Sequence, residues 1–236
     1  MRLSIIVPTL DEAAGIVATL AGLGPLHAAG HEVIVVDGGS TDGTPDLARP
    51  LASAVLTAPR GRARQMNAGA ARARGEALVF LHADTRLPDG AAGLIGTALG
   101  RRHWGRFDVR IAGRAPVLRV VGALMNLRSR VTGIATGDQA IFVRRVAFDA
   151  VGGYPDQPLM EDIELSRRLK CLGRPACLDA RAVTSGRRWD ARGPWRTILL
   201  MWRLRLDYRR GVPAERLVAR YQGPPRSGGQ SPGGAG

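Results

Sequence analysis

The chain has 236 residues, 45% of them hydrophobic and 23% charged, and its formal net charge is +14 at pH 7. This length fits one α/β domain, or one domain with a short appendage. The two cysteines exclude a disulfide framework, and no segment approaches the ~18 to 20 apolar residues that span a bilayer. The apolar run at residues 3–7 is too short for a signal-peptide core, so we expect a reduced, cytoplasmic protein.

Strands and helices alternate through the first 100 residues. The predicted strands are short and apolar on both faces, as buried parallel strands are, and cover residues 3–7, 32–36, 54–56 and 77–81. Helical patterns are present at residues 12–23, 44–51, 62–74 and 90–99. This alternation predicts βαβ units and a parallel sheet, in which ligands bind beyond the carboxyl ends of the strands.

The pattern changes beyond residue 100. Three further strands are predicted, at residues 106–113, 137–143 and 176–182. Three further helices are predicted, at residues 116–131, 158–172 and 194–211. Residues 223–236 are almost entirely Gly, Pro, Ser and Gln, and this composition predicts a disordered tail.

Asp37 ends the second predicted strand and begins the segment DGGSTDGT. A carboxylate at the tip of a buried strand can accept hydrogen bonds from ribose hydroxyls or from a base N–H. The glycines let a ligand approach the backbone, and Ser40 or Asp42 can cap the next helix. A strand-to-helix turn with its cap explains the same residues without a ligand, so both interpretations stay open.

His82 and Asp84 follow the fourth predicted strand with one residue between them. Two such side chains can converge on one ion if the chain turns there. A hard divalent cation prefers carboxylate oxygen and completes its coordination with waters and phosphate oxygens, so Asp84 is the expected contact. Imidazole suits manganese or zinc better than magnesium. The alternative is that Asp84 is only a helix N-cap.

Glu161 and Asp162 lie near the start of the helix predicted at residues 158–172. The helix macrodipole alone explains acids at this place. In the functional interpretation, one carboxylate accepts a proton from an attacking hydroxyl, with a pKa raised by neighbouring acids. Two weaker signals are a polar turn at residues 137–139 and the segment RRW at residues 187–189, which suits a pyrophosphate and a ring face or an ordinary solvated surface.

Together these motifs resemble family 2 glycosyltransferases, which have the GT-A fold. The resemblance covers about residues 2–190 and rests on the order and spacing of SIIVPTLDE at 4–12, VDGGSTDGT at 36–44, AGAA at 68–71, FLHAD at 80–84, GGY at 152–154 and EDIELSRR at 161–168. A small bacterial subgroup of unassigned substrate is similar in more detail, through GRARQMN at 61–67, HADT at 82–85 and RRW at 187–189.

The resemblance implies a single GT-A domain over residues 1–222, with a Rossmann-like, mostly parallel central sheet flanked by helices. It implies a nucleotide-binding half at residues 1–100, an acceptor half at 101–190 and a C-terminal helical extension at 191–222. It assigns the nucleotide contacts to Pro8, Thr9, Asp11, Glu12, Asp37, Arg64, Asn67 and Ala83. It assigns the acceptor side to Asp138, Gln139, Arg188 and Trp189.

The same resemblance implies a metal-assisted single displacement with inversion at the anomeric carbon. Asp84 is the metal-binding carboxylate for Mn²⁺ or Mg²⁺, with His82 standing where the family has the first acid of its Asp-x-Asp site. Asp162 is the general base, with Glu161 beside it in the catalytic pair. The Gln-x-x-Arg-Trp motif of processive synthases is present only as RRW, so we expect transfer of a single hexosyl group.

The expected donor is a UDP- or GDP-sugar, and the acceptor hydroxyl or phosphate stays open, with a lipid-linked acceptor among the candidates. A stripe at i, i+3, i+4, i+7 and i+11 contains Trp195, Ile198, Leu199, Trp202 and Leu206. With arginines at its edges, this stripe suits the inner face of an anionic membrane. The alternative is that the stripe packs against the sheet.

Three other protein classes fit the sequence less well. A Rossmann dehydrogenase has Gly-x-Gly-x-x-Gly after the first strand, where this chain reads PTLDE. A sugar-nucleotide pyrophosphorylase needs a glycine-rich phosphate loop at the same place. A basic nucleic-acid-binding module agrees with the charge, but acids at the strand tips repel phosphates. We therefore expect no nucleic-acid partner.

Overall fold

The computed structural model describes residues 1–222, without the side chains of Arg188, Arg192 and Gln222. The tail predicted to be disordered, residues 223–236, lies outside the described residues. The strands are β1 Leu3–Thr9, β2 Glu32–Asp37, β3 Ala54–Thr57, β4 Ala77–Phe80, β5 Thr85–Arg86, β6 Trp104–Ala112, β7 Ile141–Arg144 and β8 Ala176–Ser185. The α-helices are α1 Ala13–Gly22, α2 Gly24–Ala28, α3 Thr44–Ala48, α4 Arg62–Arg72, α5 Ala91–Leu99, α6 Val117–Thr132, α7 Arg145–Ala150, α8 Glu161–Lys170, α9 Arg187–Arg192, α10 Pro194–Arg209 and α11 Ala214–Gln222.

The strands form one sheet in the order β3-β2-β1-β4-β7-β6-β8-β5. β1 to β4 are mutually parallel, and β6 and β8 form a second parallel pair. β7 runs antiparallel to both β4 and β6 and joins the two groups. The fold class predicted from the sequence, an α/β sheet flanked by helices with a helical C-terminal extension, is confirmed.

Both faces of the sheet are covered. Along β1 the side chains alternate, so that Ile5 and Val7 face one core and Ile6 faces the other. The first core includes residues of α1 and α5, and the second includes residues of α4, α7 and α8. This arrangement explains why the first strands are apolar at most positions.

The structure differs from the sequence expectation mainly beyond residue 130. Residues 137–139 form a 3-10 turn before β7, because Thr136 and Gln139 close a capping box there. Helix α8 begins at Glu161, since Met160 has a left-handed φ of 64°. The C-terminal extension is divided into α9, α10 and α11, with Gly193 and Gly211 at positive φ between them.

Candidate active site

The carboxylate of Asp37 is buried at the tip of β2. Its Oδ2 accepts hydrogen bonds from the backbone N–H groups of Gly39 and Ser40, both at 2.9 Å. Its Oδ1 accepts from the hydroxyls of Ser40 at 2.5 Å and Thr9 at 3.3 Å. A carboxylate has about four acceptor positions. Those of Asp37 are used by hydrogen bonds from its own turn and from Thr9.

The loops after β1 and β2 support each other. The backbone N–H of Asp11 donates to Ser40 Oγ at 2.8 Å, and Asp11 Oδ1 accepts from the backbone N–H of Thr41 at 2.9 Å. Asp42 accepts from the backbone N–H of Ala13 at 2.9 Å and thus caps α1. A hydrogen bond from Thr44 lowers the pKa of the Asp42 carboxyl. These contacts form one continuous wall at the strand tips.

Gln65 is a residue of this wall that the sequence analysis missed. From α4 its amide nitrogen donates to the backbone oxygens of Thr9 and Val36, both at 2.8 Å. A Cβ on Gly38 would lie 3.1 Å from the Gln65 amide, so the turn passes closely over it. The available signal was a polar residue on the buried face of a predicted helix.

Asp84 lies in the loop after β4, and β5 holds this loop against the end of β8. Thr85 pairs with Thr184, and the chain then continues into α9. Arg187 therefore lies over two acids: its Nη2 is 2.8 Å from Glu12 Oε2 and 3.8 Å from Asp84 Oδ2. The hydrogen bond that Arg187 donates to Glu12 is the main cause of the raised pKa of Arg187. Arg187 was noted in the sequence only as part of the RRW segment at residues 187–189, and was not among the assigned nucleotide or acceptor contacts.

The imidazole of His82, the expected metal partner of Asp84, contacts Asp138 and Gly137, and its role as a ligand stays a prediction. Its Nδ1 lies 3.3 Å from Asp138 Oδ1. Its Nε2 packs against Gly137 so closely that a Cβ there would lie 2.2 Å away. Within residues 1–222, no three His, Cys, Asp or Glu side chains are grouped as metal ligands. Asp84 alone fits a hard cation that takes its other ligands from phosphate and water.

The two acids at the start of α8 have different environments. Asp162 Oδ2 accepts from the backbone N–H of Gly137 at 2.9 Å, and its Oδ1 accepts from that of Ile163 at 2.8 Å. Glu161 is 5% exposed, with Arg62 Nη1 3.9 Å away. Burial raises the pKa of Glu161 to about 7, and the charge of Asp162 adds to the shift. The half-buried Asp162 is thus the acid held at the turn, and Glu161 lies behind it.

The other predicted nucleotide contacts have structural partners. Asn67 and Tyr154 exchange hydrogen bonds through the Asn67 amide and the Tyr154 backbone, at 2.8 and 3.0 Å. Arg64 is exposed and pairs with Asp156 at 2.7 Å. Pro8, Thr9 and Ala83 are buried in or beside the sheet. None of these contacts contradicts a nucleotide nearby, and their binding role stays a prediction.

The predicted acceptor-side residues are divided between surface and interior. The Asp138 carboxylate lies beside the ring of His82, as described above. Gln139 is fully buried, and its Oε1 accepts from the backbone N–H of Thr136 at 3.2 Å. Trp189 packs against the cluster of Leu118 and Val121. The side chain of Arg188 lies outside the described residues.

Residues 4–100 match the family model described as glycosyl transferase family 2. This match includes the Asp37 turn and the loop of Asp84. This part of the chain is thus similar to glycosyl transferase family 2. Among curated proteins, none matches the chain in sequence.

Several solved structures share the fold of this chain. S. aureus TarS, residues 1–349, is 19% identical with a TM-score of 0.63, over 79% of this chain and 61% of that one. The mannosyltransferase PcManGT from Pyrobaculum calidifontis, in complex with GDP-Man and Mn²⁺, is 25% identical with a TM-score of 0.60, over 77% of this chain and 56% of that one. Mannosyl-3-phosphoglycerate synthase from Rubrobacter xylanophilus is 20% identical with a TM-score of 0.54, over 89% of this chain and 75% of that one. The chain therefore spans 61% and 56% of the first two of these structures.

Proposed function

We propose that this protein transfers a single sugar from a UDP- or GDP-sugar to an acceptor, with inversion at the anomeric carbon. The observation that carries the proposal is the position of the 137–139 turn. Gly137 contacts His82 of the Asp84 loop on one side and holds Asp162 on the other. This turn supports placing Asp84, a carboxylate suited to a metal–diphosphate, and Asp162, a carboxylate suited to proton transfer, on the two sides of one crevice.

The donor side of the proposal is supported by the relatives. TarS is solved with UDP-GlcNAc, and PcManGT with GDP-Man and Mn²⁺. In this chain Asp84 would hold a Mn²⁺ or Mg²⁺ ion, whose chemistry is to stabilise charge on the departing diphosphate. Arg187 already lies beside Asp84 and Glu12. Its guanidinium fork matches phosphate geometry, so we expect it to turn toward the diphosphate.

On the acceptor side, Asp162 is the proposed general base. Its two backbone hydrogen bonds fix its orientation at the edge of the crevice. A positioned base removes the proton of the attacking hydroxyl, and holding donor and acceptor in line supplies much of the remaining rate enhancement. Glu161 is buried behind Asp162 and is therefore assigned a supporting role.

Two exposed apolar stripes support a peripheral membrane location. On α10, Trp195 is 72% and Trp202 is 70% exposed, and Leu199 and Leu206 share their stripe. On α6, the exposed side chains are those of Val120, Leu124, Leu127 and Val131. Of the predicted α10 stripe, only Ile198 packs inward, against the α6 cluster. In residues 1–222 no helix is long and apolar enough to cross a bilayer. Tryptophans flanked by arginines favour docking on an anionic membrane surface, where a lipid-linked acceptor is available.

Thermal-shift measurements with UDP, GDP and dTDP, each with and without Mn²⁺, test the proposal. We expect one nucleotide to raise the Tm selectively, and Mn²⁺ to increase that shift in wild type but not in Asp84→Asn. Hydrolysis of a panel of sugar nucleotides then identifies the sugar. A chain that responds to no nucleoside diphosphate, or equally to DNA, would contradict the proposal.

A further inference from the structure

Two arginines from different helices meet near the start of α8. Arg128 of α6 donates from Nη2 to the backbone oxygen of Ile134 at 3.5 Å. Ile134 packs in the small apolar cluster that includes Ile163 of α8 and Leu204 of α10. Arg205 follows Leu204 on α10. Both arginines therefore belong to segments that pack on α8, whose first turn contains Asp162.

Neither arginine has its charge compensated by a direct ion pair within the described part of the chain. The Nε atoms of Arg128 and Arg205 are buried without a hydrogen-bond partner. Burial lowers the pKa of Arg128 to about 10, and the charges of Arg205, Arg209 and Arg106 lower it further, while Asp162 opposes them. Burial also lowers the pKa of Arg205, against the opposing effect of Asp162 and Asp138. Both side chains remain charged at neutral pH.

Arg106 shows how this fold treats an arginine with a structural role. It is fully buried, and its guanidinium pairs with Asp108, donates to Ser129 Oγ at 3.1 Å and donates to the backbone oxygen of Asn126 at 3.3 Å. Burying charges without such partners is unfavourable. Structural hydrogen bonds of this kind do not account for Arg128 and Arg205, whereas a bound anion would supply the missing acceptors.

We infer that Arg128 and Arg205 form an anion subsite that binds a phosphate group carried by the acceptor. The assignment to the acceptor rests on the proposed function, because Asp162, the proposed base, is an acid whose charge acts on both arginines. The binding of phosphate itself does not depend on sugar transfer. Two guanidinium groups with free N–H donors fit the several oxygens of a phosphate better than they fit a neutral hydroxyl.

Calorimetry with inorganic phosphate and the full chain, at constant ionic strength and with excess UDP, tests the subsite. We expect saturable binding in wild type, weakened about tenfold or more in Arg128→Gln and in Arg205→Gln, in line with loss of a charge-assisted hydrogen bond. Arg203→Gln is the matched control, since Arg203 is exposed on the same helix and its loss changes the net charge equally. Equal phosphate affinity in wild type and both glutamine variants would overturn the inference.

Thermal unfolding gives a second readout. Without phosphate, Arg205→Gln should raise the Tm, because it removes a buried like charge beside Arg128. Phosphate should raise the Tm of wild type and of Arg203→Gln but not that of Arg205→Gln. If phosphate raises the Tm of Arg205→Gln as much as that of wild type, the inference is overturned.

Competition experiments distinguish the source of the phosphate. Vesicles containing phosphatidic acid, compared with phosphatidylcholine vesicles, should displace inorganic phosphate if the acceptor is a lipid. Glycerol 3-phosphate should displace it if the acceptor is a small metabolite. Displacement by neither overturns the inference. Phosphate binding that depends on Arg205 in a protein that binds no nucleotide would instead overturn the proposed function and leave the subsite standing.

Discussion

The donor and acceptor sides of the crevice compensate their charges in opposite ways. On the donor side, the Asp37 carboxylate accepts four hydrogen bonds from its own turn and from Thr9, and Glu12 pairs with Arg187. On the acceptor side, Arg128 and Arg205 leave buried donors without partners. The donor wall is thus organised before any ligand arrives, whereas the acceptor wall is incomplete without one.

The same contrast is seen in the family match. The match covers residues 4–100, which contain the donor wall, and the arginines and exposed helix faces lie outside it. A prearranged nucleotide site suits a donor used by many related enzymes. In the proposed function, the acceptor side is the part of the molecule that lies outside this match.

The strongest test of the contrast is Asp162→Asn. Because Asp162 is the proposed base, we expect the variant to lose about 10³-fold in kcat, within the usual range for general-base catalysis. The affinity for UDP or GDP should remain unchanged by calorimetry. Glu164→Gln, in the same helical turn but paired with Arg167 and Arg168, is the control. Loss of nucleotide binding in Asp162→Asn would move Asp162 to the donor side.

Asp84→Asn tests the donor side in the same assay. Removing the carboxylate that would hold the metal should lower kcat by about 10²-fold, by analogy with the loss of other electrostatic groups. Excess EDTA should lower wild-type activity as well. Full turnover in the variant, or in wild type with EDTA, would show that the diphosphate leaves without this carboxylate.

Glu161→Gln sharpens the comparison through stability. The folded pKa of Glu161 is about 7, above the ordinary value of 4.5, so the folded state binds more protons between these values and stability falls as pH rises through that window. The variant removes this dependence and should be more stable than wild type by about 3 kcal/mol at pH 8, with little difference at pH 4. Urea denaturation at both pH values measures the change. An increase in the free energy of unfolding that is the same at both pH values would instead indicate that the variant packs better.

The smallest expected effect is on membrane docking. Trp202 is 70% exposed, so Trp202→Glu should fold normally. It should bind anionic vesicles about tenfold more weakly, because the indole ring is no longer present to be buried in the membrane surface. High salt should weaken wild-type binding too, since exposed charges are screened. Leu204→Glu, at a buried position of the same helix, should unfold the protein. Failure of wild type to bind anionic vesicles at low salt would remove the membrane from the proposal.

The strand tips were predictable because buried parallel strands are apolar on both faces and end in polar residues. What those polar residues contact was not, because the partners are distant in sequence: Arg187 and Glu12 are 175 positions apart. The two acids of α8 were predicted as a pair, but the deeper burial of Glu161 relative to Asp162 was not predicted. A helical pattern that is one residue out of phase would assign the buried position to Asp162 and the accessible position to Glu161.

Gly137 also limits how this crevice can be recombined with others. Any side chain at residue 137 would collide with His82, and the N–H of the same residue holds Asp162. A chimera that joins residues 1–100 of this chain to the second half of a relative must therefore carry residues 82 and 137 from the same parent. When the parents differ at these positions, residues 82 and 137 no longer fit each other. The backbone at residue 137 then shifts and displaces Asp162, even if each half folds well.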